Sequence, residues 1–270
     1  MIVIIILYES NESSKGRKSD MPVMDEFREE REAIKHGTPK QKYQYFKDYY
    51  RLPLIIFLLA SAFIGILIYQ FVTRKDSAFY AVLLNCSPYE KNEWFTEEYT
   101  QRAGIDLNKV DVTLDTGIYF QLDSIDEDSY ITTQKLETYA GAGQLDVMLG
   151  AGDEFAYYAN SILFRDLREV LSPEQIQKYE PYFYYVDAAL WDAPDSIQND
   201  SGLDFSKIPN PGNPQEMERP IPVAIYVESS EALNRAYYFK NAEDGIAIGI
   251  YANAPHLDNT LNFIDYLFTE

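Results

Sequence analysis

Cysteine is nearly absent: Cys86 is the single one in 270 residues, which excludes an intramolecular disulfide. Histidine is scarcely commoner, with only His36 and His256, so the usual Cys/His zinc site cannot be assembled from this chain. Positive charge is scarce in a lopsided way. Residues 1–75 carry 12 Lys+Arg against 9 Asp+Glu, whereas residues 76–270 carry 11 against 34, a net charge of −23. So acidic a surface repels phosphate backbones and excludes nucleic acid as a partner of the C-terminal part. It also keeps that part soluble and away from an anionic membrane surface. Catalytic spacings are missing as well. No nucleophile elbow or Ser/His/Asp pattern occurs, and the pairs Gly141/Gly143 and Gly150/Gly152 lack the lysine that a phosphate-binding loop needs. The acidic run 123–128 fails as a calcium loop, because Tyr130 and Ile131 stand where an oxygen ligand and a glycine belong. No enzyme activity, cofactor or metal is expected, and Cys86 is expected as a small buried residue on a strand.

Long uncharged runs are also missing, with one exception. Residues 54–72 contain no charge over 19 positions, and as a helix they would rise about 28 Å at ~1.5 Å per residue, close to the hydrocarbon thickness of a bilayer. Tyr43, Tyr45, Tyr49 and Tyr50 crowd the upstream edge, as an aromatic belt would, and Arg51, Arg74 and Lys75 flank the run. Ala60-Ser61-Ala62 resembles a signal-peptide cleavage site, but 53 residues precede the run and the uncharged stretch continues for ten residues past Ala62. An uncleaved transmembrane helix over 53–73, partnered by the lipid bilayer, is the reading. Lys40, Lys42, Lys47 and Arg51 before the run outnumber Arg74 and Lys75 after it. The positive-inside rule then puts the N-terminus in the cytoplasm and the acidic domain outside the cell membrane.

Residues 1–23 read as disordered or as a mis-assigned start. Residues 24–52 read as a cytoplasmic helical stem, one helix over 24–34 and a second beginning at Pro39 with Thr38 as its cap, after the break at His36-Gly37. From residue 76 to 270 strand-like and helix-like stretches alternate. Strands are expected at 79–85, 110–114, 146–150, 220–227 and 244–252. Helices are expected at 90–103 with Gly104 as stop, at 129–140 with Ser129 as cap, through Phe155 and Tyr158, and at 256–268. The β-α-β-α-β-α rhythm predicts an α/β domain with a mixed, mostly parallel sheet. Between 172 and 219 six prolines intervene; only 173–185 looks helical there, the rest being surface loop. Pro220 and Pro222 place the following strand at an edge or make it a strand start.

The segments 140–150, 155–159 and 163–167, closed by 248–253 and 261–267, resemble the first lobe of type 2 extracellular solute-binding proteins, here carried by a bacterial single-pass membrane protein. The resemblance implies a periplasmic-binding-protein-like lobe in which an Asp-Val strand reports to a ligand cleft. A full member of that family has two lobes, and only about 50 residues, 170–219, stand where the second should be. Either ligand capture is lost or another membrane or extracytoplasmic protein supplies the missing surface.

Ligand sites in such sheets lie beyond the carboxyl ends of the strands, which singles out Ser87, Asp153 and Glu154, together with Tyr158. Tyr157, Tyr158, Trp191 and the group Tyr182, Tyr184 and Tyr185 would either stack on a sugar or fill the core. Two functions are expected as alternatives. One is non-catalytic binding of a small molecule of unspecified kind. The other is a structural or regulatory role as a protein-interaction surface.

Overall fold

The computed structural model describes residues 34–122, 127–161, 163–192, 198–199, 202–227 and 229–269. The expected helix at 24–34 lies almost wholly outside them, and so do residues 1–23 and 123–126. The chain divides into two compact units, Met1–Arg74 and Lys75–Glu270.

In the first unit, α1 (Pro39–Tyr49) starts where the sequence says it should. Pro39 takes the first helical position, where its missing N–H costs nothing. Gln41 Oε1 accepts from the Thr38 backbone N–H at 2.9 Å, the reciprocal half of a capping box. The helix α2 (Arg51–Thr73) follows after a single residue, Tyr50. Pro53 stands in its first turn, where a backbone N–H would have no acceptor within the helix. Over α2 the mean hydropathy reaches 2.6 and no residue is buried. At ~1.5 Å per residue it is about 34 Å long, long and apolar enough to cross a membrane.

The second unit is built on a six-stranded sheet in the order β3-β1-β4-β10-β8-β5. Its strands are β1 (Asp76–Leu84), β3 (Val110–Ile118), β4 (Val147–Ala151), β5 (Phe183–Asp187), β8 (Pro220–Tyr226) and β10 (Ile246–Ile250). Two short pairs lie apart from it, β2 (Cys86–Pro88) with β9 (Tyr237–Phe239) and β6 (Gln198–Asn199) with β7 (Gly202–Leu203). The helices are α3 (Glu93–Ala103), α4 (Glu127–Gly141), α5 (Gly152–Ala159), α6 (Pro173–Tyr179), α7 (Glu231–Ala236) and α8 (Leu257–Leu267). Every residue of β4 and of β10 is buried, as strands covered on both faces must be. Alternation along β1 sends neighbouring residues to opposite layers. Phe79 meets Tyr99 of α3 and Phe263 of α8 at ring-centroid distances of 5.3 and 4.8 Å, whereas Tyr80 meets Tyr139 of α4 at 5.9 Å. The result is an α/β unit with helices on both faces of the sheet.

Several expectations need correction. The sheet is mixed but mostly antiparallel: β1 runs parallel to β3 and β4, while β4–β10, β10–β8 and β8–β5 are antiparallel. Parallel neighbours need a crossover helix, which α3 and α4 provide. The later strands are joined by an excursion or a six-residue helix and return in the opposite sense. The stretch expected as helix over 173–185 stops at Tyr179, Pro181 follows, and the aromatic, β-branched run from Phe183 pairs as a strand instead. That pairing makes β5 the edge and leaves β8 inside the sheet. Pro222 is tolerated there because it pairs with Tyr185 at a register shift. The helix α4 begins by Glu127, so Ser129 lies within it and does not cap it. Gly104 does end α3 in the left-handed conformation, φ +70°. Cys86 is fully buried on β2, and burial pushes its thiol up to about 12.

The proline-rich stretch is thus an elaborated connection between two paired strands, β5 and β8. Asp187 closes its base. The carboxylate accepts from the backbone N–H groups of Ala189, Glu218 and Arg219 at 2.9–3.0 Å. Burial by itself would raise its pKa, but those three donors and the Arg219 charge hold it below the usual carboxylate range.

Candidate functional site

Strand register decides where a hollow can form. Gly150 of β4 pairs with Ala247 of β10, and Ala247 pairs with Tyr226 of β8. Paired residues share a face, so this rung carries a glycine, an alanine and then a large ring. A Cβ at Gly150 would stand 3.1–3.3 Å from Phe155 and Leu84, so the glycine admits the Phe155 side chain over the sheet. A pocket of about 370 Å³ lies there, at the carboxyl end of β4, where open α/β sheets bind ligands.

The chain turns sharply at this point. Gly152 adopts φ +61°, and a Cβ there would come within 3.1 Å of both the backbone oxygen and the Cβ of Asn241. Only glycine meets both conditions. The turn starts α5, which supplies Asp153, Phe155 and Ala156 to the lining. Phe155 stands edge-on to Tyr184 of β5 at 5.5 Å, and Tyr184 lies 5.4 Å from the Tyr226 ring. Burial raises the Tyr184 phenol pKa, helped by Tyr226 and by the negative charge of Asp153. Tyr184 therefore stays a neutral hydrogen-bonding group. Asp244 and Gly245, just before β10, complete the sheet side.

The opposite wall comes from the excursion. Phe205, Ile208, Pro209, Asn210 and Pro211 line the pocket. They are tied to the sheet by the Tyr185 N–H, which donates to the Pro211 carbonyl at 2.9 Å. The register shift at Tyr184/Tyr185 frees that N–H from the β8 ladder. Within the loop, Asn210 Oδ1 accepts from Gly212 N–H at 2.8 Å, a side-chain turn of the kind asparagine favours. No protein family, curated protein or solved structure matches the chain.

Of the four residues singled out from sequence, Asp153 alone lines the pocket. Glu154 is the next residue, but it is buried beneath the turn, with both carboxylate oxygens 3.3 Å from Asn241 Nδ2. Tyr158 is buried against Phe120 and Tyr157, at 5.2 and 5.3 Å, and burial raises its phenol pKa. Ser87 is exposed on β2, paired with Tyr238 of β9, and does not line the pocket. Among the aromatic candidates only Tyr184 reaches it. Tyr182 packs on Phe268, Tyr157 on Phe120, and Tyr185 and Trp191 against the core.

Sequence reasoning missed Tyr226, Asp244 and Phe205. The first two are 76 and 94 residues beyond Gly150 in the chain and reach it only through the antiparallel register. The strand β4 that follows Asp146 reaches the pocket with Gly150 and Ala151 at its carboxyl end. Asp146 lies ahead of β4, at the end away from the pocket. It is fully buried and accepts from Tyr80 N–H and His256 N–H, both at 2.8 Å.

Proposed function

We propose that this chain is a membrane-tethered, non-catalytic binding protein whose ligand occupies the pocket between the β4–α5 turn and the 205–211 segment. The observation that carries the reading is that both walls come from one chain. A single lobe of the solute-binding kind has an open face. Here the excursion between β5 and β8 faces the carboxyl end of β4 across the hollow and does what a second lobe or a partner protein would otherwise do. The volume is at the small end of the ~300–1,000 Å³ usual for ligand sites, so the ligand is a small molecule.

A panel of monosaccharides, amino acids, dipeptides and small amines should contain a compound that raises the melting temperature of the full chain in dodecyl maltoside. At a concentration near 100 times its Kd the gain is about 2.7 kcal/mol, several degrees for a unit of this size. Ala156→Trp, on the half-exposed side of α5 that lines the pocket, should abolish that gain while leaving the unliganded melt in place. A panel without a stabiliser, or a shift indifferent to Ala156→Trp, sinks the reading.

In this proposal α2 is the tether, and the greater number of cations before it places the N-terminus in the cytoplasm and the acidic unit outside. Protease added to intact cells should then remove residues 75–270. Complete protection of them would reverse the orientation.

A further inference from the structure

We infer that the ligand of this pocket is a small organic cation, a primary or quaternary amine; this rests on the binding role proposed above and adds the chemistry of the ligand to it. Among the described residues the lining has two carboxylates, Asp153 and Asp244, both exposed, and no lysine, arginine or histidine. Around them stand the rings of Phe155, Tyr184, Phe205 and Tyr226. Rings carry negative potential on their faces, and ammonium groups are held within ~6 Å of such faces, most strongly where water is excluded.

Charge decides between ligand classes. An anion would enter a cleft whose described lining has two negative groups and no cationic side chain, in a unit whose residues 76–270 carry a net charge of −23. A cleft of one sign concentrates ligands of the opposite sign and speeds their entry. A neutral sugar would use the carboxylates as acceptors but gain nothing from that field. A bare metal ion is disfavoured on other grounds. Calcium takes six to eight oxygens, whereas the walls here are rings and prolines, and the described residues contain no group of three or more side chains able to hold a metal ion. An alkylammonium uses both halves of the site, with its charge toward Asp153 and Asp244 and its carbon shell against the rings.

The test is calorimetry on the full chain in dodecyl maltoside with choline and putrescine as probes. The control is 3,3-dimethylbutan-1-ol, the uncharged isostere of choline. At least one cation should bind, at least tenfold more tightly than the alcohol binds, and the affinity should fall as salt is raised. The double variant Asp153→Asn/Asp244→Asn alters exposed side chains and should melt like the parent, yet bind the cation at least tenfold more weakly. Tyr226→Leu should weaken it as well. Equal affinity for choline and the alcohol overturns the inference, as does an unaltered affinity in the double variant. If both cations fail while a neutral compound binds and is blocked by Ala156→Trp, the cation assignment falls and the binding role stands. If nothing binds, both fall.

Discussion

Alanine at position 146 is expected to lower the melting temperature of the acidic unit by about 10 °C. Asp146 is fully buried and its carboxylate joins three elements at the end of the sheet away from the pocket. Oδ2 accepts from Tyr80 N–H of β1 at 2.8 Å and lies 3.0 Å from His256 Nδ1; Oδ1 accepts from His256 N–H at 2.8 Å. Its backbone continues the junction, taking a hydrogen bond from Tyr251 N–H and giving one to the Tyr80 carbonyl. Removing the side chain leaves two backbone donors facing the carboxylate's former place, and each unsatisfied donor costs about 1–3 kcal/mol. The sum, about 2–6 kcal/mol, brackets the ~3–5 kcal/mol that breaking a buried charged pair typically costs. In a unit of this size each kcal/mol moves the midpoint by ~2–4 °C.

Two further variants separate the backbone role from the histidine's. Asp146→Asn keeps one acceptor and should fall between parent and Asp146→Ala. His256→Ala leaves both backbone donors paired and should cost only about 1–2 kcal/mol, the value of one hydrogen bond to a charged group. Thermal melts by circular dichroism read all three. An Asp146→Ala protein melting within 2 °C of the parent would remove Asp146 from this role.

Asp146 also shows how far the sequence can be read. The run Asp146-Val-Met-Leu-Gly150 is legible as a buried strand because its apolar residues are continuous and end at a glycine. The aspartate ahead of it is not legible, because its side chain's partner residues, Tyr80 and His256, are 66 and 110 residues away in the chain. The same division runs through the unit. The elements α3, α8, β1 and β4 carry local signals: a glycine stop, an apolar stripe, or an unbroken apolar run. The strand β5 does not. Phe183-Tyr-Tyr-Val follows a genuine helix start capped by Ser172, whose Oγ accepts from Gln175 N–H at 3.2 Å. What makes the run a strand is its partner β8, some 40 residues on. Strand direction is not legible for the same reason. A β-α rhythm signals crossovers only where the intervening helix is long enough to span the sheet, and α7 has six residues. The candidate site was legible at Asp153, which follows the carboxyl end of a recognisable strand. Tyr226, Asp244 and Phe205 depend on register and on the path of a proline-rich loop, neither of which leaves a periodic trace.

Alanine at Gly249 is expected to cost about 3 kcal/mol, even though alanine is ordinarily the better residue in a strand by ~0.5–1 kcal/mol. Gly249 lies within β10, and a Cβ added there would be 2.7–2.8 Å from three carbons of the Phe164 ring. That separation is far inside van der Waals contact, so the ring or the strand must move. The ring has little freedom. It is buried, stacked on Phe155 at 5.6 Å and 18° and set edge-on to Tyr251 at 5.5 Å. Its own backbone is held by a bridge to Tyr251 and by the neighbouring Arg165 N–H, which donates to the Ile250 carbonyl at 2.8 Å. Overpacking a site of this kind costs ~1–3 kcal/mol or more. The glycine is therefore there to admit the ring. Phe164→Leu, made in the Gly249→Ala background, relieves the clash, so the double variant should be at least 1 kcal/mol more stable than the sum of the single effects, a coupling read from denaturant melts by double-mutant cycle. Additivity within 0.5 kcal/mol would mean that the two positions do not oppose each other. The stack extends to the pocket, because the ring pressed by the new methyl group leans on Phe155, which forms part of its wall. Gly249→Ala should accordingly weaken whatever ligand the pocket holds, with no contact to it, and Phe164→Leu should restore part of that affinity together with the stability.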